Sequence, residues 1–221
     1  MHKNVARWTS VSIVALTLVT LGTMQMAAQA PQGGAPAAPG AGRQGGPAGG
    51  GRGPQTPPLL MTSTAWEDGG VIPDRFTGAA PAGTTAVSPE LKWSQVPMGT
   101  QSFVLLMHDP EPVLNKGSKM DITHWLMWNI PGTSTGLPEG VAQGELPDGS
   151  RQVSLRFNGY MGPGAGPGPY HHYTFELYAL DTKLEVPQGT PQQAADTRNA
   201  VINAMDGHVL GKAILVARFH R

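Results

Sequence analysis

The chain has 221 residues, of which 15 are basic and 15 acidic, so its formal net charge is zero. Nucleic-acid binding needs a basic patch or stripe, and we expect no nucleic-acid partner for a chain with this balance. The sequence contains no cysteine, which excludes disulfides, thiolate zinc sites and cysteine nucleophiles. Glycine and proline are in excess, at 30 and 21 residues, which predicts that part of the chain is unstructured.

Residues 1–30 have the pattern of an export signal. Lys3 and Arg7 give a positive start, residues 11–21 form a short apolar run, and Ala28-Gln29-Ala30 fits a small-residue cleavage site. A membrane anchor is the alternative, but the apolar run is shorter than the roughly 20 residues that span a bilayer. We therefore expect a signal peptide, no stable membrane span after its removal, and a periplasmic or secreted protein.

Residues 31–58 form a low-complexity segment rich in glycine, proline and alanine. The segment has no aliphatic side chain larger than alanine, so burial of apolar surface cannot offset the entropy lost on ordering. We expect a disordered linker between the signal peptide and a single folded domain at residues 59–221.

The folded domain carries mostly β signals. Short apolar runs, without helical flanks, occur at residues 102–108, 123–130, 173–180 and 213–219. The run at 102–108 is continuous and ends at Asp109-Pro110, which is typical of a buried central strand. Several strands with one late helix predict an all-β fold, an antiparallel sandwich with a few short helices.

The late helix has a clear start and stop. Thr190 is a capping residue, Pro191 takes the first helical position, and Gln193 completes a capping box. Gly207 lies where the helix would end. The residues expected to line its buried side are Ala194, Val201, Ile202 and Met205.

Polar side chains lie at the ends of three predicted strands. Asp109 closes the first, while His124 and His171 open two others. The two-residue period of a strand places His171 on the same face as Tyr173 and directs His172 to the other face. The same rule predicts one shared face for His124, Leu126, Trp128 and Ile130. We expect Asp109, His124 and His171 to converge at one rim of the sheet.

Several motifs now resemble those of a known family. They include HDPEP at residues 108–112, HWLMWNIP at 124–131 and GYMGPG…HHYTFELYAL at 159–180. In this order they resemble the phosphatidylethanolamine-binding protein family, in its bacterial Raf kinase inhibitor-like branch, over about residues 59–221.

The resemblance implies an antiparallel β-sandwich with a small anion-binding pocket. The family's pocket residues fall on seven positions of this chain, which are Asp109, Glu111, His124, Gly162, Pro163, His171 and Tyr173. The resemblance implies no catalytic residue.

Elementary chemistry supports an anion at such a pocket. Glycines let backbone amides approach a phosphate closely, and the histidines His124 and His171 donate hydrogen bonds and become cationic near pH 6.5. Asp109 would repel an anion, so we expect it to hold a histidine or the turn in place. The ligand would be a phosphate, a phospholipid head group, another phosphorylated molecule or a carboxylate. The histidines lack the tight spacing of a metal motif, so we expect neither a metal nor a cofactor.

Three hypotheses on function remain. The first is an exported binding module without enzymatic activity. The second is a hydrolase or lyase that uses Asp109, His124 and His171 as acid-base groups. The third is a protease or enzyme inhibitor that acts through a surface loop. Turnover lost in His171→Ala would favour the enzyme, and inhibition that survives mutation of the pocket would favour the inhibitor.

The predicted boundaries can be tested on the exported protein. N-terminal sequencing should find Pro31 first, because the cleavage site ends at Ala30. A fragment of residues 59–221 should unfold cooperatively in urea, because it holds the large apolar side chains that remain after removal of residues 1–30. Recovery of Met1 on the exported protein would contradict the signal peptide, and a fragment without a cooperative transition would contradict the domain boundary.

Overall fold

A computed structural model describes residues 57–114 and 121–221 of the chain. The predicted signal peptide and the predicted linker up to residue 56 lie outside the described residues. None of the helices within these residues is both long and apolar enough to cross a membrane.

The described residues form two β-sheets. The strands are β1 (Leu60–Thr62), β2 (Gly70–Val71), β3 (Leu91–Ser94), β4 (Ser102–Asp109), β5 (Ile122–Pro131), β6 (Gly136–Leu137), β7 (Arg151–Val153), β8 (His171–Leu180) and β9 (Val209–Phe219). A three-stranded sheet has the order β1-β3-β6, and a six-stranded sheet has the order β2-β9-β8-β4-β5-β7. Neighbouring strands are antiparallel except β2 and β9, which pair in parallel. The predicted all-β class is confirmed.

Helical structure is short, as expected. One α-helix, α1 (Ala194–Ala204), follows a 3₁₀ turn at Pro191–Gln193, and further 3₁₀ turns lie at Asp74–Phe76 and Glu111–Leu114. The capping box of Thr190 and Gln193 is present, and Gly207 follows the helix with φ +78°. The prediction that Ile202 is buried is wrong, because its side chain is 40% exposed. Ile202 lies about 100° around the helix from buried Val201, beyond the narrow stripe that a short helix packs on a sheet.

Strand β4 is buried on both faces, which explains its continuous apolar run. Phe103, Leu105 and Met107 belong to the core between the two sheets. Val104 and Leu106 belong to a second core under α1. The prediction of a central buried strand is confirmed.

Strand β5 does not follow a regular alternation, so the prediction that His124, Leu126, Trp128 and Ile130 share one face is wrong. Its register against β4 shifts twice, between Met107 and His108 and between Phe103 and Leu105. Each extra residue in a bulged strand reverses the direction of the side chains beyond it. Leu126 and Trp128 consequently pack in the core under α1, whereas Ile130 packs between the sheets. The ring of His124 lies 5.1 Å from that of Tyr173, on the side of the core between the sheets.

An ionic cluster lies at the end of β4, next to the core under α1. Asp121 accepts hydrogen bonds from Arg198 of α1 and is bonded to Nδ1 of His108. Nε2 of His108 lies 3.9 Å from Oε1 of Glu176. Burial alone would lower the pKa of His108, but the two carboxylates raise it to about 9. The side chain is therefore a cation at neutral pH, and it joins β4, β8 and the start of β5 to the helix.

The charge on His108 predicts an alkaline loss of stability. A histidine whose pKa is raised on folding contributes stability that is complete below its ordinary pKa of 6.5 and is lost as the pH rises through about 9. The free energy of unfolding in urea should therefore fall between pH 6.5 and 9, by at most about 3 kcal/mol. In His108→Gln this part of the profile should flatten, whereas His208→Gln, at an exposed ion pair, should keep it. A wild-type decline that persists in His108→Gln would place its cause elsewhere.

Candidate functional site

A cavity of about 610 Å³ opens at the rim of the six-stranded sheet, where β4 ends and β8 begins. It contains five of the seven predicted site residues, namely Asp109, His124, Gly162, His171 and Tyr173. Glu111 and Pro163 are not part of its lining. The bulge near the start of β5 is what directs His124 into the same space as the side chains of β8.

Asp109 orients a histidine and closes a turn at the same time. Its Oδ2 accepts a hydrogen bond of 2.8 Å from Nδ1 of His171, and its Oδ1 accepts one of 3.0 Å from the backbone N–H of Glu111. The residue is buried, and burial raises the pKa of Asp109 above its ordinary value. Both of its oxygens thus accept hydrogen bonds from donors of the protein.

His124 is held as a neutral imidazole. Its Nδ1 donates a hydrogen bond of 2.8 Å to the carbonyl oxygen of Met161, an atom that can only accept. Only 4% of the residue is exposed, and burial lowers its pKa to about 4. The expectation that His124 becomes cationic near pH 6.5 is therefore wrong, because a charged ring would lose its hydration without gaining a carboxylate partner.

Tyr173 forms the floor between the two histidines. Its ring centroid lies 5.1 Å from that of His124 and 6.5 Å from that of His171. The hydroxyl oxygen accepts a hydrogen bond of 3.3 Å from the backbone N–H of Ala165, which anchors the glycine-rich loop to the sheet. Burial raises the pKa of Tyr173, so the side chain is a neutral phenol.

The glycines of the loop have different roles. A Cβ on Gly162 would lie 2.8 Å from both the carbonyl oxygen of Phe76 and the Cβ of Ala86. Gly162 is therefore required for close packing of the protein against itself. Gly164 and Gly166 also line the cavity, and no atom lies within 4 Å of a Cβ on either of them. These two glycines leave space open beside the histidines.

Two arginines of the cavity were not identified from the sequence. Arg156 lies between Leu155 and Phe157, whose side chains are 52% and 43% exposed, and all three contribute to the lining. Arg221 donates a hydrogen bond of 2.7 Å from Nη2 to the carbonyl oxygen of Gly78. The one available signal was the apolar-basic-apolar triplet 155–157 directly before the GYMGPG motif.

Glu111 and His172 lie beside the cavity, on its outer side. Oε1 of Glu111 is 2.7 Å from Nδ1 of His172, whose side chain is 53% exposed. Burial disfavours the charge of Glu111, but its interactions with the carboxyl group of Asp109 and with His172 leave its pKa below the ordinary value. The neighbours His171 and His172 thus pair with different carboxylates on opposite faces of β8.

Within the part of the chain that the structure describes, Asp109, Glu111 and His171 form a group that could hold a metal ion. Each offers one ligand atom, and these atoms lie within 4.8 Å of one another. Their present hydrogen bonds already pair Asp109 with His171 and Glu111 with His172. The group is therefore self-consistent as a hydrogen-bonded chain, and nothing in its geometry requires a cation.

Comparisons with known proteins agree with the motifs. A family model described as phosphatidylethanolamine-binding protein matches residues 62–220. A UPF0098 protein of Methanothermobacter thermautotrophicus is 40% identical over 166 residues, which cover 74% of this chain and 99% of that protein. The UPF0098 protein YbhB of Escherichia coli is 35% identical over 138 residues, which cover 59% of this chain and 84% of YbhB.

Solved structures agree with the observed fold. The crystal structure of a phosphatidylethanolamine-binding protein homolog from Chlamydia trachomatis aligns with a TM-score of 0.59 at 28% identity, over 74% of this chain and 98% of that one. The fold of Escherichia coli YbcL aligns with a TM-score of 0.57 at 24% identity, over 74% of this chain and 98% of that one. With a family model matched over more than half of its length, this chain belongs to the phosphatidylethanolamine-binding protein family.

Proposed function

We propose that the protein is an exported, non-enzymatic binding module that holds a small anionic group in the cavity of Asp109, His124, His171 and the glycine loop. The observation that carries this proposal is the lining of the cavity. It combines two arginines and two oriented imidazoles with the open backbone of Gly164 and Gly166.

The charges of the cavity favour an anion. Arg156 and Arg221 bring two positive charges, whereas Asp109 brings one negative charge that is bonded to His171. Arginine is well suited to phosphate and carboxylate, since its planar guanidinium offers several N–H donors in a fixed geometry. The family name makes a phospholipid head group one candidate. A free phosphate, a phosphorylated molecule and a carboxylate share the same chemistry.

The enzyme hypothesis receives less support from the lining. The contact between Asp109 and His171 is of the kind that orients a general base. However, among the described residues that line the cavity none is serine, threonine or lysine, so a general base there has no hydroxyl or amine of these residue types to activate. His124, with a pKa of about 4, is also poorly matched to proton transfer near neutral pH.

The two neighbouring histidines of β8 provide a matched pair for a binding test. His171→Ala should weaken binding of inorganic phosphate at least tenfold, about 1.4 kcal/mol, because it removes a ring of the cavity lining and leaves the buried Asp109 without its hydrogen-bond donor. His172→Ala should change the affinity less than threefold, because its side chain lies outside the cavity lining. Isothermal titration calorimetry would measure both. Equal losses in the two variants would contradict this placement of the site, and turnover of a phosphate ester that depends on His171 would favour the enzyme.

Substitutions at Gly162 and Gly164 should have different effects, one on stability and the other on phosphate binding. Gly164→Val should preserve the melting temperature but weaken phosphate binding, because the new side chain enters open cavity space. Gly162→Ala should lower the free energy of unfolding by about 1–3 kcal/mol, because its methyl group meets the backbone at Phe76. Urea unfolding and calorimetry on both variants would show the contrast. Normal phosphate binding by Gly164→Val would mean that the ligand does not approach the loop.

A further inference from the structure

One asparagine of the chain is followed directly by a glycine. Of the six asparagines in the sequence, only Asn158 has this neighbour, Gly159. The backbone nitrogen of a residue that follows asparagine can attack the side-chain carbonyl carbon and close a five-membered ring. Glycine favours this attack, because it has no Cβ to obstruct the approach and allows the widest range of backbone angles. The pair lies in the bend that connects the exposed residues 155–157 to buried Tyr160.

Hydrogen bonds do not hold the two reacting groups in place. Oδ1 of Asn158 is buried and has no donor within the part of the chain that the structure describes. A buried acceptor without a donor costs free energy, so no hydrogen bond favours the present rotamer of this amide. The backbone N–H of Gly159, which carries the attacking nitrogen, likewise has no acceptor among the described residues. Ring closure therefore does not have to break a hydrogen bond of either group.

The other asparagines of the described residues lack this combination. Nδ2 of Asn129 donates a hydrogen bond of 2.9 Å to the carbonyl oxygen of Leu184, and its Oδ1 accepts one of 2.7 Å from the N–H of the same residue. Asn199 and Asn203 lie within α1 and are each followed by alanine, whose N–H is engaged in the helix. Asn199 is exposed to solvent, so exposure alone does not distinguish Asn158 from the others.

We propose that Asn158 is a deamidation site of the folded protein. The nitrogen of Gly159 forms a bond to Cγ of Asn158, the bond from Cγ to Nδ2 breaks, and Nδ2 leaves as ammonia with the hydrogen of the Gly159 nitrogen. Water then adds to either carbonyl carbon of the succinimide ring, which opens to aspartate or to isoaspartate. The net reaction consumes one water, releases one ammonia and adds one negative charge to the protein.

The isoaspartate product should destabilise this segment, because it directs the main chain through Cγ and so adds one atom to the backbone. The surroundings leave little room for that atom. A Cβ on Gly159 would lie 2.9 Å from Cγ of Gln143, and the carbonyl oxygen of Asn158 accepts a hydrogen bond of 2.6 Å from the N–H of Gly144. Tyr160, the next residue, is buried. The longer backbone must therefore displace packed groups.

Tryptic peptides of the aged wild-type protein test the site. The full chain is kept folded in mildly alkaline buffer and then digested at weakly acidic pH, where ring closure is slow. Peptide 157–183 contains Asn158 as its only side-chain amide, and peptide 199–212 contains both helical asparagines. A gain of about one mass unit should appear in peptide 157–183 at least about tenfold faster than in peptide 199–212. Equal rates in the two peptides would overturn the proposal.

An isoaspartyl methyltransferase identifies the second product. It should transfer labelled methyl groups to peptide 157–183 of the aged wild type, and this label should be lost in Asn158→Gln. A peptide that gains mass without accepting label would overturn the isoaspartate product.

Two variants that keep an amide side chain test the effect on stability. The urea midpoint of the wild type should fall as the protein ages. Asn158→Gln should keep the midpoint that it has when fresh, because glutamine would have to close a six-membered ring. Asn199→Gln, at an exposed position of α1, should age like the wild type. An equal fall in Asn158→Gln would place its cause elsewhere, and a constant wild-type midpoint despite the gain in mass would overturn the predicted destabilisation.

Discussion

Burial of β4 on both faces is the constraint on which the rest of the structure depends. Strands β5 and β8 pair with the two edges of β4, and the other sheet and α1 cover its two faces. These contacts fix where β4 lies and where it ends. His108 and Asp109 then leave the core in opposite directions. His108 enters the ionic cluster with Asp121, and Asp109 enters the cavity with His171. The ionic cluster and the candidate site therefore begin at adjacent residues of β4.

The sequence predicted those parts of the fold that depend on local pattern. The apolar run of β4, the alternation of β8 and the capping box at Thr190 each lie within a short segment, and the structure confirms them. The two bulges of β5 were missed because a bulge is defined by the partner strand and not by the bulged residues. A strict two-residue period predicted that His124 shares the face of Leu126 and Trp128, whereas one extra residue brings it beside Tyr173.

The candidate site was likewise predicted in part, where it depends on local motifs, and missed in part, where it depends on tertiary contacts. Family motifs identified the residues that end or begin strands, and five of the seven lie together in the cavity. The different roles of Gly162 and Gly164 were not predictable, because they depend on the approach of Phe76 and Ala86 from a distant segment. Arg156 and Arg221 were missed for the same reason, since they enter the lining through tertiary contacts and not through a motif.

Burial also determines how such a cavity can recognise an anion. His124 is deeply buried and has no carboxylate partner, so burial lowers its pKa and the ring stays neutral. His171 is less buried, and its hydrogen bond from Nδ1 to Asp109 fixes the direction of its ring. In the proposed binding module, Arg156 and Arg221 would supply the positive charge of the lining. The two rings would supply hydrogen-bonding groups of fixed direction, so they would discriminate between ligands by geometry.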